Sequence, residues 1–301
     1  MRSILVTGGT GQLGIELQRQ QWPDGVRVHA PTRDELDLGR PDSIRAILAG
    51  GAWDCVINPA AYTSVDAAED EPGDAFLANC QGPAWLAEAT AKRGIPLIHV
   101  STDYVFAGDS DRPYTEDDPI GPAGVYGASK AAGELAVRSA NPRCVIVRTA
   151  WVLSAHRSNF LKTMLRLAAG RDSLSVVADQ HGCPTSASDI AATLAAIAGR
   201  LMGDTDAPTG IYHFVNSGEA SWHELAIEIL RLSAERGGPT AEVRAIGTDQ
   251  FPTKARRPAN SRLSIAKIER DFGIRARGWR EAVADIMSDL DQTNALREAK
   301  Q

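Results

Sequence analysis

Short apolar runs alternate with amphipathic stretches along the first half of the chain. Residues 2–6 (RSILV) form an apolar run of the length of a buried strand, and residues 12–20 carry apolar positions at helical spacing. Similar runs predict further strands at residues 26–30, 53–58, 97–100 and 144–152, and a helix at residues 74–93. Strands that alternate with helices in this way predict an α/β fold with a parallel sheet covered on both faces.

A glycine-rich turn connects the first strand to the first helix. Gly8, Gly11 and Gly14 are three residues apart, and a Cβ at such positions would block both the turn and the approach of a pyrophosphate to the backbone. The helix that follows offers free N–H groups to an anion. Ala60 and Ala61, after the third strand, would let a cofactor pass close to the chain. We therefore predict a Rossmann-type, doubly wound sheet that binds a dinucleotide.

The end of the second strand bears on the choice of nicotinamide cofactor. An acidic residue there would bind a ribose 2′-hydroxyl, but this chain has Pro31, Thr32 and Arg33 instead. Arg33 could pair with a 2′-phosphate, which favours NADPH with NADH tolerated. The alternative is that Arg33 is an ordinary surface arginine. Asp37 is expected near the adenine rather than the ribose.

Tyr126 and Lys130 stand four residues apart in YGASK and would share one face of a helix. A nearby ammonium lowers the pKa of a phenol toward the working range of a proton donor. Thr102 follows the strand at residues 97–100 and could polarise a substrate oxygen; the strand pattern alone does not choose between it and Ser101. Asp103 is a candidate to orient a sugar hydroxyl, and a cap at the strand end is the alternative. These residues predict hydride transfer to a carbonyl, or from an alcohol.

The pattern is less regular after about residue 150. Helices are predicted at residues 159–169, 190–201, 222–236, 264–272 and 279–290, and strands at 174–177 and 210–216. We interpret residues 1–150 as the NAD(P)-binding domain and residues 151–301 as mainly a smaller C-terminal substrate-binding lobe. Segments near residues 188–216 are expected to pack back on the sheet.

Composition and charge exclude some classes of binding partner. The formal net charge is −6 and no helix carries a basic stripe, which argues against nucleic acid. No apolar run approaches the roughly 20 residues that span a bilayer, and the N-terminus reads as a strand rather than a signal peptide. The four cysteines form no C-x-x-C pair, so neither a disulfide framework nor a zinc site is expected. We expect a cytoplasmic protein without a membrane partner.

Seven motifs in order along nearly the whole chain resemble the dTDP-4-dehydrorhamnose reductase family, within the extended short-chain dehydrogenases/reductases. They are GGTGQLG, NPAAYTSVDAAE, STDYVF, YGASK, RTAWV, DQHGCPTS and RRPANSRL. The resemblance implies that NAD(P)H reduces the 4-keto group of dTDP-4-dehydro-β-L-rhamnose to give dTDP-L-rhamnose.

The resemblance also implies site residues at matching positions. The active-site hydroxyl, tyrosine and lysine would be Thr102, Tyr126 and Lys130. Cofactor contacts would be Gly11, Gln12, Leu13, Asp37, Leu38, Ala61, Tyr62 and Thr63. Substrate contacts would be Thr102, Asp103 and Trp151. Asn159 and Arg257 are further substrate candidates, since an amide can bind a nucleotide and an arginine a diphosphate.

Two questions stay open at the level of sequence. Some family members join subunits through a magnesium ion held by glutamates; Glu16 matches one such position, but Ser188 stands where another carboxylate is expected. A bridging metal is therefore doubtful, and a monomer or a homodimer is open. The alternative functions are reduction or epimerisation of another nucleotide-linked 4-keto sugar, and a non-catalytic subunit resembling the methionine adenosyltransferase regulatory β subunit.

Overall fold

The computed structural model describes residues 1–298, and side chains through residue 292. The strands are β1 (Arg2–Val6), β2 (Val26–His29), β3 (Cys55–Asn58), β4 (Leu97–Thr102), β5 (Cys144–Thr149), β6 (Val152–Leu153), β7 (Ser173–Val177), β8 (His181–Gly182), β9 (Thr185–Ser186), β10 (Gly210–His213), β11 (Ala220–Ser221), β12 (Glu242–Ile246) and β13 (Asn260–Ser261). The helices are α1 (Gln12–Arg19), α2 (Pro41–Ala49), α3 (Val65–Ala68), α4 (Pro72–Phe76), α5 (Gly82–Ala91), α6 (Val125–Ala140), α7 (Phe160–Ala168), α8 (Ala187–Gly203), α9 (Trp222–Glu235), α10 (Ala266–Phe272) and α11 (Trp279–Glu298).

Within residues 1–298 the central sheet has six parallel strands, in the order β10-β5-β4-β3-β1-β2. The chain proceeds from β1 outward to β2 and then returns to the other side of β1 with β3. A crevice therefore opens between the carboxyl ends of β1 and β3, where ligands bind in sheets of this kind. The predicted Rossmann-type, doubly wound α/β fold is confirmed.

Both faces of the sheet are covered by helices. Helices α1, α8 and α10 pack on one face, and α2, α5 and α6 pack on the other. Every residue of β5 is buried, as expected of a central parallel strand. Three segments from the second half of the chain, α8, β10 and α10, thus belong to the sheet and its helical cover.

The remaining C-terminal elements enclose a separate apolar cluster. Helices α7, α9 and α11 contribute to it, together with β7, which pairs in parallel with β12. The pairing of β7 with β12 was not expected from the sequence. None of the helices described in residues 1–298 is long and apolar enough to cross a bilayer.

Two predicted elements were wrong in extent. The run at residues 144–152 is not one strand: β5 ends at Thr149, because Trp151 takes a positive φ of 48° that a strand cannot accommodate. The helix predicted at residues 74–93 is interrupted by a π-helical turn, Leu77–Gln81. This turn carries the buried Asn79, and such turns are frequent at functional sites.

Candidate active site

The glycine turn lies at the crevice and is packed against the end of β3. Gly8 has a φ of +59°, and a Cβ there would lie 3.0 Å from the Cα of Ala60. A Cβ on Gly14 would lie 2.2 Å from the Gly8 carbonyl oxygen. Helix α1 begins after Gly11 with no side-chain cap, which leaves its first N–H groups for a ligand. These features fit a dinucleotide pyrophosphate.

Gln12 connects this turn to the segment that precedes α7. Its Oε1 accepts hydrogen bonds from Ser154 Oγ at 2.8 Å and from Asn159 Nδ2 at 2.9 Å. Asn159 also caps α7, where its Oδ1 accepts the backbone N–H of Lys162. The amide of Asn159 is therefore engaged within the chain, and its role as a substrate contact stays a prediction. Leu13 is buried in the core beneath the turn.

The expected adenosine end of the site follows β2. The Arg33 side chain is 86% exposed, and its Nε lies 3.8 Å from Asp37 Oδ2. Asp37 Oδ1 accepts the backbone N–H of Gly39, and Leu38 is buried against the helices of that face. The Arg33 guanidinium is thus largely exposed to solvent beyond the end of β2, with a long contact to Asp37.

The loop after β3 is held by the asparagine of the π-helical turn. Asn79 Oδ1 accepts the Tyr62 N–H at 2.8 Å, and Asn79 Nδ2 lies 3.0 Å from both the Tyr62 carbonyl oxygen and Ser129 Oγ. Ser129 is the neighbour of Lys130 on α6. One buried amide therefore fixes the predicted cofactor loop, which includes Ala61 and the exposed Thr63, to the helix that carries the tyrosine and lysine.

The predicted threonine and tyrosine meet at the carboxyl end of β4. Thr102 Oγ1 donates to Asp103 Oδ1 at 2.9 Å, and the Thr102 side chain also hydrogen-bonds to Tyr126. Asp103 is buried, and burial raises its pKa to about 6, while hydrogen bonds from Ser261 and Thr102 oppose the shift. The structure thus brings Thr102, Asp103 and Tyr126 together.

Lys130 lies one helical turn from Tyr126 and points to the sheet. It is 2% exposed, and its Nζ donates to the Val100 carbonyl oxygen at 2.7 Å. Burial lowers the pKa of the Lys130 ammonium to about 8, against the Glu134 carboxylate, which raises it. An ammonium with a pKa this close to neutrality can take part in proton transfer.

The acidity of Tyr126 differs from the sequence expectation. Burial raises the pKa of its phenol, the Asp103 carboxylate raises it further, and the hydrogen bond with Thr102 lowers it. Lys130 is not among the groups that shift it. The phenol is therefore held in its protonated form at neutral pH, which is the form that a proton donor needs.

Trp151 is the first of two aromatic residues that stack beyond β5. Its ring lies 3.5 Å from that of Trp222, centroid to centroid, with 9° between the planes. A Cβ on Gly182 would lie 2.4 Å from the Trp151 ring, so the indole is held between these two residues. Its positive φ marks the position as strained, and backbone strain of this kind concentrates at functional sites.

Arg257 and Arg262, two arginines of RRPANSRL, have different partners. Arg257 Nη2 lies 2.5 Å from Asp66 Oδ2, and the guanidinium also hydrogen-bonds to Tyr104. Arg262 Nη1 donates to Glu219 at 2.9 Å, away from Arg257's partners. Arg257 is thus connected to the predicted catalytic residues through Tyr104.

The surroundings of Glu16 do not fit a magnesium ion. Glu16 Oε1 lies 3.2 Å from His156 Nε2, and Arg19 donates two hydrogen bonds to Asp289, at 2.7 and 2.8 Å. Magnesium requires near-octahedral oxygen ligands, whereas a guanidinium and an imidazole occupy this cluster. Burial raises the pKa of the Glu16 carboxyl, and the charge of the Arg19 guanidinium opposes the shift.

Tyr104 was not predicted from the sequence to lie at the candidate site. It lies in STDYVF directly after the predicted Thr102 and Asp103, and its ring meets that of Tyr126 edge to face, 5.4 Å apart. Strand alternation could not identify it, because it lies in a short 3₁₀ turn, Asp103–Val105, beyond the end of β4.

Comparison with known proteins gives consistent results. A family model described as the RmlD substrate binding domain matches residues 1–292. A dTDP-4-dehydrorhamnose reductase of Sinorhizobium fredii is 47% identical over 285 residues, covering 94% of this chain and 96% of the relative. The enzyme of that name from Escherichia coli is 38% identical over 299 residues, covering 98% and 100%.

Solved structures agree over the same length. A dTDP-4-dehydrorhamnose reductase from Clostridium acetobutylicum superposes with a TM-score of 0.90 at 35% identity, covering 96% of this chain and 99% of that one. The enzyme of that name from Bacillus anthracis, solved in complex with NADP, has a TM-score of 0.89 at 32% identity and covers 96% and 100%. The chain therefore belongs to the dTDP-4-dehydrorhamnose reductase family, which the RmlD substrate binding domain defines.

Proposed function

We propose that this protein reduces the 4-keto group of dTDP-4-dehydro-β-L-rhamnose, with NADPH, to give dTDP-L-rhamnose. The observation that supports the proposal is the contact of Thr102 with Tyr126 at the carboxyl end of β4, with Lys130 one helical turn from Tyr126 and bonded to Val100 of the same strand. Family membership supplies the substrate class, since relatives that align over nearly their whole length bear the reductase name.

The cofactor would lie along the crevice between β1 and β3. The residues proposed to hold it are Gly8, Gly11, Gln12, Leu13, Arg33, Asp37, Leu38, Ala60, Ala61, Tyr62, Thr63, Tyr126 and Lys130. Bound NADPH supplies the hydride that reduces the carbonyl carbon. The exposed Arg33 could bind the 2′-phosphate and so supports a preference for NADPH over NADH. The NADP complex of the Bacillus anthracis relative is consistent with this preference.

The sugar nucleotide is proposed to contact Thr102, Asp103, Trp151, Asn159 and Arg257. Thr102 would hydrogen-bond the keto oxygen and polarise it, while the Asp103 carboxylate accepts from a ring hydroxyl. The indole of Trp151, which stacks on Trp222, would form one wall of the sugar-binding site. The Arg257 guanidinium has several N–H donors, so it could donate to a phosphate oxygen while it keeps its bond with Asp66.

The proton is proposed to come from Tyr126. As the carbon gains the hydride, the carbonyl oxygen gains the phenolic proton, and a phenolate remains on Tyr126. The raised pKa keeps this phenol protonated before the step. Lys130, whose burial lowers its pKa to about 8, is proposed to bind the cofactor and to help restore the proton to Tyr126.

We further propose that the protein acts in the cytoplasm, where nucleotide sugars and NADPH are found, as a monomer or homodimer that needs no bridging metal. The Arg19 guanidinium supports the last point, because it already neutralises the carboxylates around Glu16.

The test is NADPH oxidation by the purified protein with dTDP-4-dehydro-β-L-rhamnose, with the product identified by mass and NMR. Tyr126→Phe should lose about 10²–10⁴-fold in kcat while still binding NADPH. Tyr212→Phe is the matched control, because that hydroxyl bonds Asp271 outside the site. Near-normal turnover by Tyr126→Phe would remove it from the mechanism. Preference for another 4-keto sugar, or a 4-epimer as the product, would establish one of the alternative functions.

A further inference from the structure

A short acidic segment joins the C-terminal half of the chain to the cofactor-binding half. Asp66, on α3, accepts the backbone N–H of Ala255 at 3.0 Å and the Arg257 guanidinium at 2.5 Å. Asp70, just beyond α3, pairs with Lys254. The segment at residues 254–257 is thereby fixed beside the loop that is proposed to hold the cofactor.

Arg257 extends this connection to the acid/base tyrosine. Its side chain is 21% exposed, and its guanidinium hydrogen-bonds to the Tyr104 hydroxyl as well as to Asp66. The Tyr104 ring in turn meets the Tyr126 ring edge to face, with centroids 5.4 Å apart and 75° between the planes. A continuous series of contacts therefore runs from Asp66 through Arg257 and Tyr104 to Tyr126.

The same acidic segment also fixes the backbone that carries Tyr126. Glu69 Oε1 accepts the N–H of Val125 at 2.9 Å, at the first residue of α6. A Cβ on Gly124 would lie 2.7 Å from this oxygen, so the helix start is packed against the carboxylate. The backbone of Tyr126 is thus held by Glu69, whereas its ring is held by Tyr104.

We propose that Tyr104 is a positioning residue for Tyr126, and that Arg257, anchored on Asp66, fixes the Tyr104 ring in place. The proposal rests on the proposed function of Tyr126 as proton donor. A proton donor must lie within hydrogen-bond reach of the substrate oxygen, and a displacement of about 1 Å can cost on the order of 10²-fold in rate. The hydrogen bond with Thr102 restrains the hydroxyl of Tyr126, and the edge contact with Tyr104 restrains its ring.

The first test separates the ring of Tyr104 from its hydroxyl. Tyr104→Leu removes the ring edge and should lower kcat by about 10–100-fold, with the KM for the sugar nucleotide and the Kd for NADPH within about threefold of the parent. Tyr104→Phe keeps the edge and loses only the bond to Arg257, so its loss should be smaller. Equal losses in both variants, or a kcat of Tyr104→Leu within about twofold of the parent, would overturn the proposal.

The second test asks whether Asp66 acts through Tyr104. Asp66→Asn alone should lower kcat, but in the Tyr104→Phe background it should add little, because the hydroxyl that Arg257 binds is already gone. Lys254→Gln is the matched control: it removes the neighbouring ion pair of the same segment without touching Tyr104, and its kcat should not change. Additive losses in kcat, or an equal loss in Lys254→Gln, would indicate that the substitutions loosen the whole segment at residues 254–257. Either result would overturn the role of Asp66 in positioning Tyr104.

A crystal structure of Tyr104→Leu gives a readout that does not depend on turnover. The Tyr126 ring should leave its position or show more than one rotamer, and a ring that is unmoved would overturn the positioning role. An inactive parent enzyme would refute the proposed reductase function. The crystal structure of Tyr104→Leu would still test, independently of activity, whether Tyr104 positions Tyr126.

Discussion

Removal of one member of the buried Glu134–Arg148 ion pair should destabilise the protein strongly, whereas removal of both should not. Glu134 lies one helical turn beyond Lys130 on α6, and Arg148 lies on β5. Arg148 donates from Nε to Glu134 Oε1 at 2.8 Å and from Nη2 to Oε2 at 2.7 Å. Both side chains are at most 3% exposed, so each charge depends on the other for its stabilisation.

The expected magnitude follows from this burial. Loss of one partner leaves an uncompensated buried charge, which costs about 3–5 kcal/mol, while replacement of both by apolar groups is often neutral or stabilising. In a chain of this length about 1 kcal/mol corresponds to roughly 2 °C in Tm. Glu134→Gln or Arg148→Met should therefore lower Tm by roughly 6–10 °C, and the double variant should recover much of that loss.

Thermal unfolding of the four proteins completes a double-mutant cycle. Asp42→Asn is the control, because the Asp42–Arg45 pair has a similar 2.8 Å contact but lies on the surface and should contribute at most about 1 kcal/mol. Single variants that melt like Asp42→Asn, or a double variant as unstable as the two losses added together, would contradict this expectation.

Four further outcomes are expected. Arg33→Ala should weaken NADPH more than NADH in binding titrations, and equal effects would discard the 2′-phosphate contact. Trp151→Ala should raise the KM for the sugar nucleotide and leave NADPH affinity unchanged; a normal KM would reassign Trp151 to the core. Asp103 has a folded pKa of about 6, above its unfolded value of about 3.9, so the stability it confers is complete below about pH 4 and is lost as pH rises through about 6. In urea titrations, the free energy of unfolding of the parent should accordingly fall relative to that of Asp103→Asn as pH rises from about 4 to about 6. A difference in unfolding free energy that does not change with pH would contradict the raised pKa. Chelation by EDTA, or added Mg²⁺, should leave Tm and mass in solution unchanged, and a change in either would restore Glu16 as a metal ligand.

Local chemistry made the cofactor end of the site predictable from the sequence. The turn at Gly8, Gly11 and Gly14 has few alternatives, because a Cβ at Gly14 would overlap the Gly8 carbonyl. Tyr126 and Lys130 share a helix face by their four-residue spacing alone. The strand pattern failed at Trp151, where a tertiary stack with Trp222 and Gly182 outweighs the apolar run.

The pKa values of Tyr126 and Lys130 could not be predicted from sequence patterns. The spacing of Tyr126 and Lys130 suggested an ammonium that acidifies the phenol, but Lys130 bonds the Val100 carbonyl and burial dominates both pKa values. A pKa depends on desolvation and on every charge nearby, and neither quantity is set by neighbours along the chain.

The amino-acid sequence by itself determined the class of the sheet, the dinucleotide turn and the Tyr126–Lys130 pair, because each depends on residues within a few positions of one another. Tertiary structure alone decided that Arg257 meets Asp66, 191 residues away, and that Tyr104 lies between that pair and Tyr126. It likewise paired Glu134 with Arg148 across the interface of α6 with the sheet. Such contacts arise only when separate layers pack, and no local periodicity encodes which side chains then face each other.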